Sequence, residues 1–182
     1  KGKIIINDPT VAGSGHDLFY LVSKNLYSLD YWRELVKLEP AISRDQRLPV
    51  EWVARGKQAI GLGLKADVIT EFQNAGAPLE SLLPSEGTYI TPGAGTLLLM
   101  DSMPHPQATK VFVNWLLSRE GLELMSRTLM VQSSRVDLPV DFLPKEEVRD
   151  PKAKYYSQHT EEALLEKEKY MDIAKEIFAP VM

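Results

Sequence analysis

Gly13-Ser14-Gly15 stands where an apolar run, Ile4-Ile5-Ile6, has stopped at Asn7-Asp8-Pro9, just before Leu18, Phe19, Val22 and Leu26 restart the chain with helical spacing. Glycines that open a helix let the backbone come close to a guest. They aim unpaired N–H groups at it, with the positive end of the helix macrodipole behind them. That chemistry suits an anion or a carboxylate, and Ser14 adds a hydroxyl. The same residues also serve as a plain turn, with Ser14 or Asp17 capping the first amides. They are no nucleotide fingerprint. Gly13 and Gly15 are followed by His16, Asp17 and Leu18, which match neither the dinucleotide pattern nor the phosphate loop ending in Lys-Ser/Thr.

The elements that must position this loop repeat along the chain. Ile4 to Ile6 read as a strand buried on both faces, followed by a loop and a helix. Asp30 is placed to cap a second helix from Tyr31 to about Glu39, which Pro40 ends. Ala41-Ile42-Ser43 is a short strand, Arg44-Asp45-Gln46-Arg47 a polar loop, and Pro49 opens a helix that Gly56 terminates. Ala59 to Leu64 is a third strand, Lys65-Ala66 its loop, and Asp67 to Gly76 its helix. Three strand-loop-helix units predict an α/β fold, a parallel-rich sheet with helices on both faces. Ligands of open sheets gather at the carboxyl ends of the strands. The loops there hold Gly13 to His16, Ser43 to Arg47, and Lys65, so Arg44, Arg47 and Lys65 favour a negatively charged guest. Taken singly, each cation is equally a solvated loop residue.

From Ser81 the texture changes. Leu82 to Pro84 and Thr88 to Thr91 read as short strands, and Pro92-Gly93-Ala94-Gly95 reads as a hinge before the apolar run Thr96 to Met100. Ala108, Val111, Phe112, Trp115 and Leu116 lie on one face of a helix, and Ser118 caps the next, which runs through Gly121 and LELMSRTLM. Val131 to Pro139 is extended. Thr160 caps a final helix with Leu164, Met171, Ala174, Ile177 and Phe178 as its apolar set and Pro180 beyond its end.

Composition narrows the function. The chain has 182 residues, 44% of them hydrophobic, enough for a packed core. A formal charge of −4 with scattered basic residues leaves no footprint for nucleic acid. The absence of cysteine excludes disulfides, thiolate metal sites and cysteine nucleophiles. No apolar run approaches the roughly twenty residues of a membrane span. His16, His105 and His159 are far apart, there is no paired-His helix motif, and no Gly-x-Ser-x-Gly elbow occurs. Glu146-Glu147 and Glu161-Glu162 read as helix-start acids, and Tyr155-Tyr156 as packing aromatics rather than ferric ligands. No metal and no cofactor are expected. An enzyme is the least favoured class.

Four phrases carry a resemblance: KGKIIINDPTVAGSG, VARGKQAIGLGL, FVNWLLSREGLELMS and SSRVDLP. Together, in this order and over about Lys1 to Pro139, they resemble the extracellular solute-binding proteins of ABC importers, in the branch that includes ferric-iron and phosphonate-type binders. The resemblance implies the type 2 periplasmic binding fold, capture of a small solute, delivery to the permease subunits, and a periplasmic or extracellular location. It implies that residues 1–90 form the second, ligand-binding α/β domain and that residues 91–182 return into the first, as its mostly helical carboxy-terminal part. Position by position, the family's ligand loops match Gly13, Ser14, Gly15, Ser43, Arg44 and Lys65, with Tyr89 and Thr91 at the hinge.

Two departures from the family pattern matter. The family's chains carry over a hundred residues before the point matching Lys1, so this chain is expected to be the later part of a longer protein. The helices around Trp115 and Phe178 are then expected to lack the sheet they cover, which favours a homodimer. Ferric binders of the branch place two adjacent tyrosines just after the strand matching Ala59 to Leu64, where this chain has Lys65-Ala66. An anionic solute is therefore expected rather than tyrosine-held iron. The alternative is a ligand-sensing regulatory domain of the same fold.

Overall fold

The computed structural model describes residues 1–90, 97–143, 145, 148–157 and 160–182. The chain divides into two compact units, Lys1–Tyr89 with Lys154–Met182, and Ile90–Ala153.

The first unit is built on a three-stranded parallel sheet of order β2-β1-β3, with β1 Ile4–Asn7 between β2 Ala41–Ser43 and β3 Ile60–Leu62. Register decides which side chains share a face, because they alternate along a strand. Ile6 lies opposite Ile42 and Leu62, and all three meet the main apolar core. Ile5 lies opposite Ala41 and Gly61 and faces the other way. There Val53 of α3 (Leu48–Ala54) approaches so closely that a Cβ on Gly61 would stand 3.3 Å from it. The sheet is thus covered on both sides, and the unbroken isoleucines of β1 follow from that.

The Ile6 face is covered by three helices: α1 (Ser14–Leu21), α2 (Leu29–Val36) and α7 (Glu161–Phe178). Their aromatic residues form a triangle, with ring centroids of Phe19 and Trp32 5.3 Å apart, Trp32 and Phe178 5.8 Å, and Phe19 and Phe178 6.2 Å. α1 runs into a π-helical turn, Val22–Leu26, closed by the Tyr27 N–H on the Val22 carbonyl. α4 (Ala66–Asn74) follows β3 and packs on α3. β4 (Thr88–Ile90) pairs with β5 (Tyr155–Ser157) in a separate two-stranded sheet.

The second unit holds α5 (Pro106–Leu116) and α6 (Arg119–Leu129), packed on each other across a tight turn. The Ser118 hydroxyl caps α6 by accepting the Gly121 N–H at 3.1 Å. Gly121 passes the Trp115 carbonyl so closely that a Cβ would stand 2.2 Å from it. Arg127 lies over the Phe142 ring at 4.5 Å.

Several expectations are corrected. α2 begins at Leu29 with Ser28 as its cap, so Asp30 sits inside the first turn and pairs with Arg33 at 2.7 Å. Leu82 to Pro84 is not a strand. Leu82 is 81% exposed, and among the described residues that run has no ladder partner to hold it extended. Tyr155-Tyr156 lies in β5. Phe178 was expected to lack its cover, yet it is 0% exposed, because Phe19 and Trp32 enclose it. The final helix accordingly belongs with the first unit rather than with residues from 91 onward. Trp115 is 40% exposed.

Candidate functional site

The loops at the carboxyl ends of β1, β2 and β3 meet at two side chains, Asn7, the last residue of β1, and Ser14, the first of α1. The Asn7 Nδ2 donates to the carbonyls of Ser43 (3.3 Å) and Asp45 (3.4 Å), in the loop after β2. Its Oδ1 accepts the Gly15 N–H at 3.3 Å. The Ser14 hydroxyl lies 3.3 Å from the same Oδ1 and 2.6 Å from the Gly63 carbonyl, after β3. A serine has one proton to give, so the shorter contact takes it. Asn7 and Ser14 together therefore bind all three loops.

Two glycines are required by this closeness. A Cβ on Gly15 would stand 2.0 Å from the Asn7 carbonyl oxygen, and one on Gly63, at φ +65°, would stand 3.1 Å from the Gly15 Cα. Gly13, at φ +151°, precedes α1 without a side-chain cap. Gly13 holds the N-cap position, and the Ser14 hydroxyl goes to Gly63 rather than to the helix amides that the turn reading expects. Asn7 reaches the Gly15 amide instead.

Asp8, 1% exposed, is the second organiser. Its Oδ1 accepts the Thr10 N–H (2.8 Å) and hydroxyl (2.6 Å), and its Oδ2 accepts Arg44 Nε at 2.8 Å. Burial pushes this carboxyl up, but the Arg44 and Thr10 hydrogen bonds outweigh it and hold the group below the usual aspartate range. Ser43 works through both its ends: its carbonyl accepts the Asp8 N–H at 2.9 Å and its hydroxyl accepts the Asp45 N–H at 3.2 Å.

Each cation expected at these loops already faces a carboxylate. Arg44 meets Asp8, Arg47 meets Glu71 through two bonds of 2.7 and 2.9 Å, and Lys65 meets Asp67 at 2.7 Å. Arg47 also lies 4.8 Å over the Phe72 ring. All three cations are more than half exposed. The Arg47–Glu71 and Lys65–Asp67 pairs are exposed on both sides, contribute about 1 kcal/mol or less and yield readily to a stronger anion, whereas Arg44 holds a buried carboxylate.

His16 is buried behind the loop, its Nδ1 3.3 Å from the Pro9 carbonyl. Tyr89 has its phenol pushed up to about 12, by burial first and by the Asp17 carboxylate second. Thr91 and His159 lie outside the described residues. Among the described residues no three His, Asp or Glu side chains gather to hold a metal ion. No helix of the described residues is long and apolar enough to cross a membrane.

Sequence reasoning placed the loops and missed Asn7 and Asp8, which it treated only as the stop after β1. The signal was their position: two polar residues ending a fully buried strand have to satisfy their side chains locally.

No family model matches the chain, and no solved structure matches it. It is similar to an uncharacterized protein of Haemophilus influenzae, 33% identical over 127 residues, which is 68% of this chain and 36% of that protein. The chain thus spans about a third of the length of the curated relative it matches.

Proposed function

We propose that this chain is the solute-capturing part of a substrate-binding protein of an ABC importer, with the type 2 periplasmic binding fold. It works in the periplasm or outside the cell and delivers a small anionic solute to the membrane permease. The observation that supports this reading best is the convergence on Asn7 and Ser14 of the loops after β1, β2 and β3. Open parallel sheets bind their ligands at that end. Asn7 and Ser14 fix the platform, Arg44 supplies charge to the solute while its Nε keeps Asp8, and Lys65 does so by releasing Asp67. The protein binds and releases without covalent chemistry.

Native mass spectrometry of the chain titrated with inorganic phosphate, sulfate and methylphosphonate tests this. A one-to-one adduct that Arg44→Ala and Lys65→Ala each weaken at least about tenfold is the expected result, since a charge-assisted hydrogen bond contributes roughly 1.5–3 kcal/mol. Adducts of equal strength in both variants place the anion elsewhere, and no adduct in any of the three titrations overturns the anionic-solute reading.

A further inference from the structure

Arg44 is the exposed end of a series of hydrogen bonds that begins in the buried interior. The Asp8 carboxylate is 1% exposed, and its Oδ1 accepts the Thr10 N–H and hydroxyl at 2.8 and 2.6 Å. Its Oδ2 holds Arg44 Nε at 2.8 Å, although the Arg44 side chain is 70% exposed. The backbone fastens the same place, because the Asp8 N–H donates at 2.9 Å to the carbonyl of Ser43, the residue before Arg44. An arginine with most of its surface in water ordinarily samples many rotamers. This one is tied at Nε to a carboxylate that Thr10 keeps in place.

The nitrogen that is tied matters. A guanidinium is planar and rigid, so fixing Nε fixes the directions of both Nη groups. Among the described residues neither Nη of Arg44 has a hydrogen-bond partner. Arg47, in the same loop, is the contrast, since its Nη1 and Nη2 both bind Glu71 at 2.7 and 2.9 Å. Lys65 gives its ammonium to Asp67. Arg44 therefore carries a free two-pronged edge at the carboxyl end of the sheet, the shape that matches two oxygens of one carboxylate or phosphate. A buried ion pair is often no more stabilising than apolar residues of the same volume, so stability alone does not call for an acid at position 8. The orientation of Arg44 does.

We propose that Asp8 is a positioning residue, which holds Arg44 by Nε so that Nη1 and Nη2 grip two oxygens of the solute's anionic group side by side. Asp8 acts through Arg44 and makes no contact with the solute itself. The inference rests on the anionic-solute reading above.

The sign of one substitution tests it. Asp8→Asn removes a negative charge near the anion, which by Coulomb attraction alone tightens binding, whereas loss of positioning weakens it. Calorimetric titration with inorganic phosphate, sulfate and methylphosphonate is expected to show an affinity at least about fivefold lower in Asp8→Asn, the factor of one net hydrogen bond. Arg44→Lys keeps the charge but loses the fork, and a loss of similar size is expected. Without solute, nitrogen-proton spectra of the arginine side chains should show the Arg44 Nε–H exchanging with water more slowly than that of Arg55, which pairs with Glu51 through Nη2. Arg44→Lys and Arg55→Lys assign the two signals by difference, and Asp8→Asn should abolish the protection. Unchanged or tighter anion binding by Asp8→Asn overturns the proposal and leaves the anionic-solute reading standing, as does an Arg44 Nε–H that exchanges as fast as that of Arg55. Absence of binding of all three anions by the unsubstituted chain overturns that reading and this proposal with it. Should Asp8→Asn fail to fold, Arg44→Lys decides together with the exchange measurement on the unsubstituted chain, and full affinity in Arg44→Lys overturns the proposal.

Discussion

The Ser14 hydroxyl donates to the Gly63 carbonyl at 2.6 Å and so joins two loops 49 residues apart in sequence. Ser14 opens α1 and Gly63 follows β3, so this bond sets how near the third loop lies to the helix start. The hydroxyl that a turn reading assigns to capping, and a ligand reading assigns to a guest, closes the loop cluster instead.

Ser14→Ala leaves the Gly63 carbonyl without this donor. The expected loss is about 1–2 kcal/mol, the usual cost of a part-buried hydrogen bond with one partner removed. Urea denaturation of the two proteins checks it, and an unchanged midpoint would show that water replaces the hydroxyl without cost.

Gly15→Ala should be far more damaging, because the new Cβ would meet the Asn7 carbonyl at 2.0 Å and that carbonyl belongs to the central strand. The expected cost is about 3 kcal/mol or more. Gly56→Ala is the control. At φ +70° it is strained, but nothing lies within 4 Å of its Cβ, so about 1 kcal/mol is expected. Equal midpoints for the two variants would mean that the loop moves aside.

Burial holds the His16 imidazole below its ordinary range, although the Pro9 carbonyl and the Asp17 carboxylate favour the cation; Lys167 adds to the lowering. In the unfolded chain His16 takes its proton near pH 6.5, while the folded chain resists it. Stability should therefore fall as pH drops from about 6.5 through the folded-state value, and level off below it. Asp8 acts in a lower window, its contribution being lost only as pH falls below about 3.9. Urea midpoints at pH 7.5 and pH 5 should differ, and His16→Gln should reduce the difference. A difference of the same size in the variant would assign the slope to another group.

Phe178→Ala should destabilise the first unit by about 3–5 kcal/mol, since the ring is fully buried against Phe19 and Trp32. Near-ultraviolet circular dichroism should lose intensity along with stability. Leu165→Ala on the same helix is the control, because Leu165 is 78% exposed and its loss should cost about 0.5 kcal/mol or less. If both variants behave alike, α7 does not complete this core.

The local elements were legible because their signals are local. Three isoleucines in a row made β1, Pro49 opened α3, and Ser118 and Thr160 capped α6 and α7 through bonds spanning three residues. The repetition of strand, loop and helix also gave the parallel sheet. The sequence by itself thus determined the α/β class and the loops at which polar residues gather. Only the tertiary structure decided what those residues do. Asn7 reaches Asp45 across 38 residues, and Ser14 reaches Gly63 across 49. Arg47 finds Glu71 across 24, and Phe178 crosses nearly the whole chain to meet Phe19. No periodicity encodes such pairs, because each depends on register and helix packing that exist only once the sheet has formed. The same holds for Trp32, whose amphipathic position predicts burial but not an indole N–H left without an acceptor among the described residues.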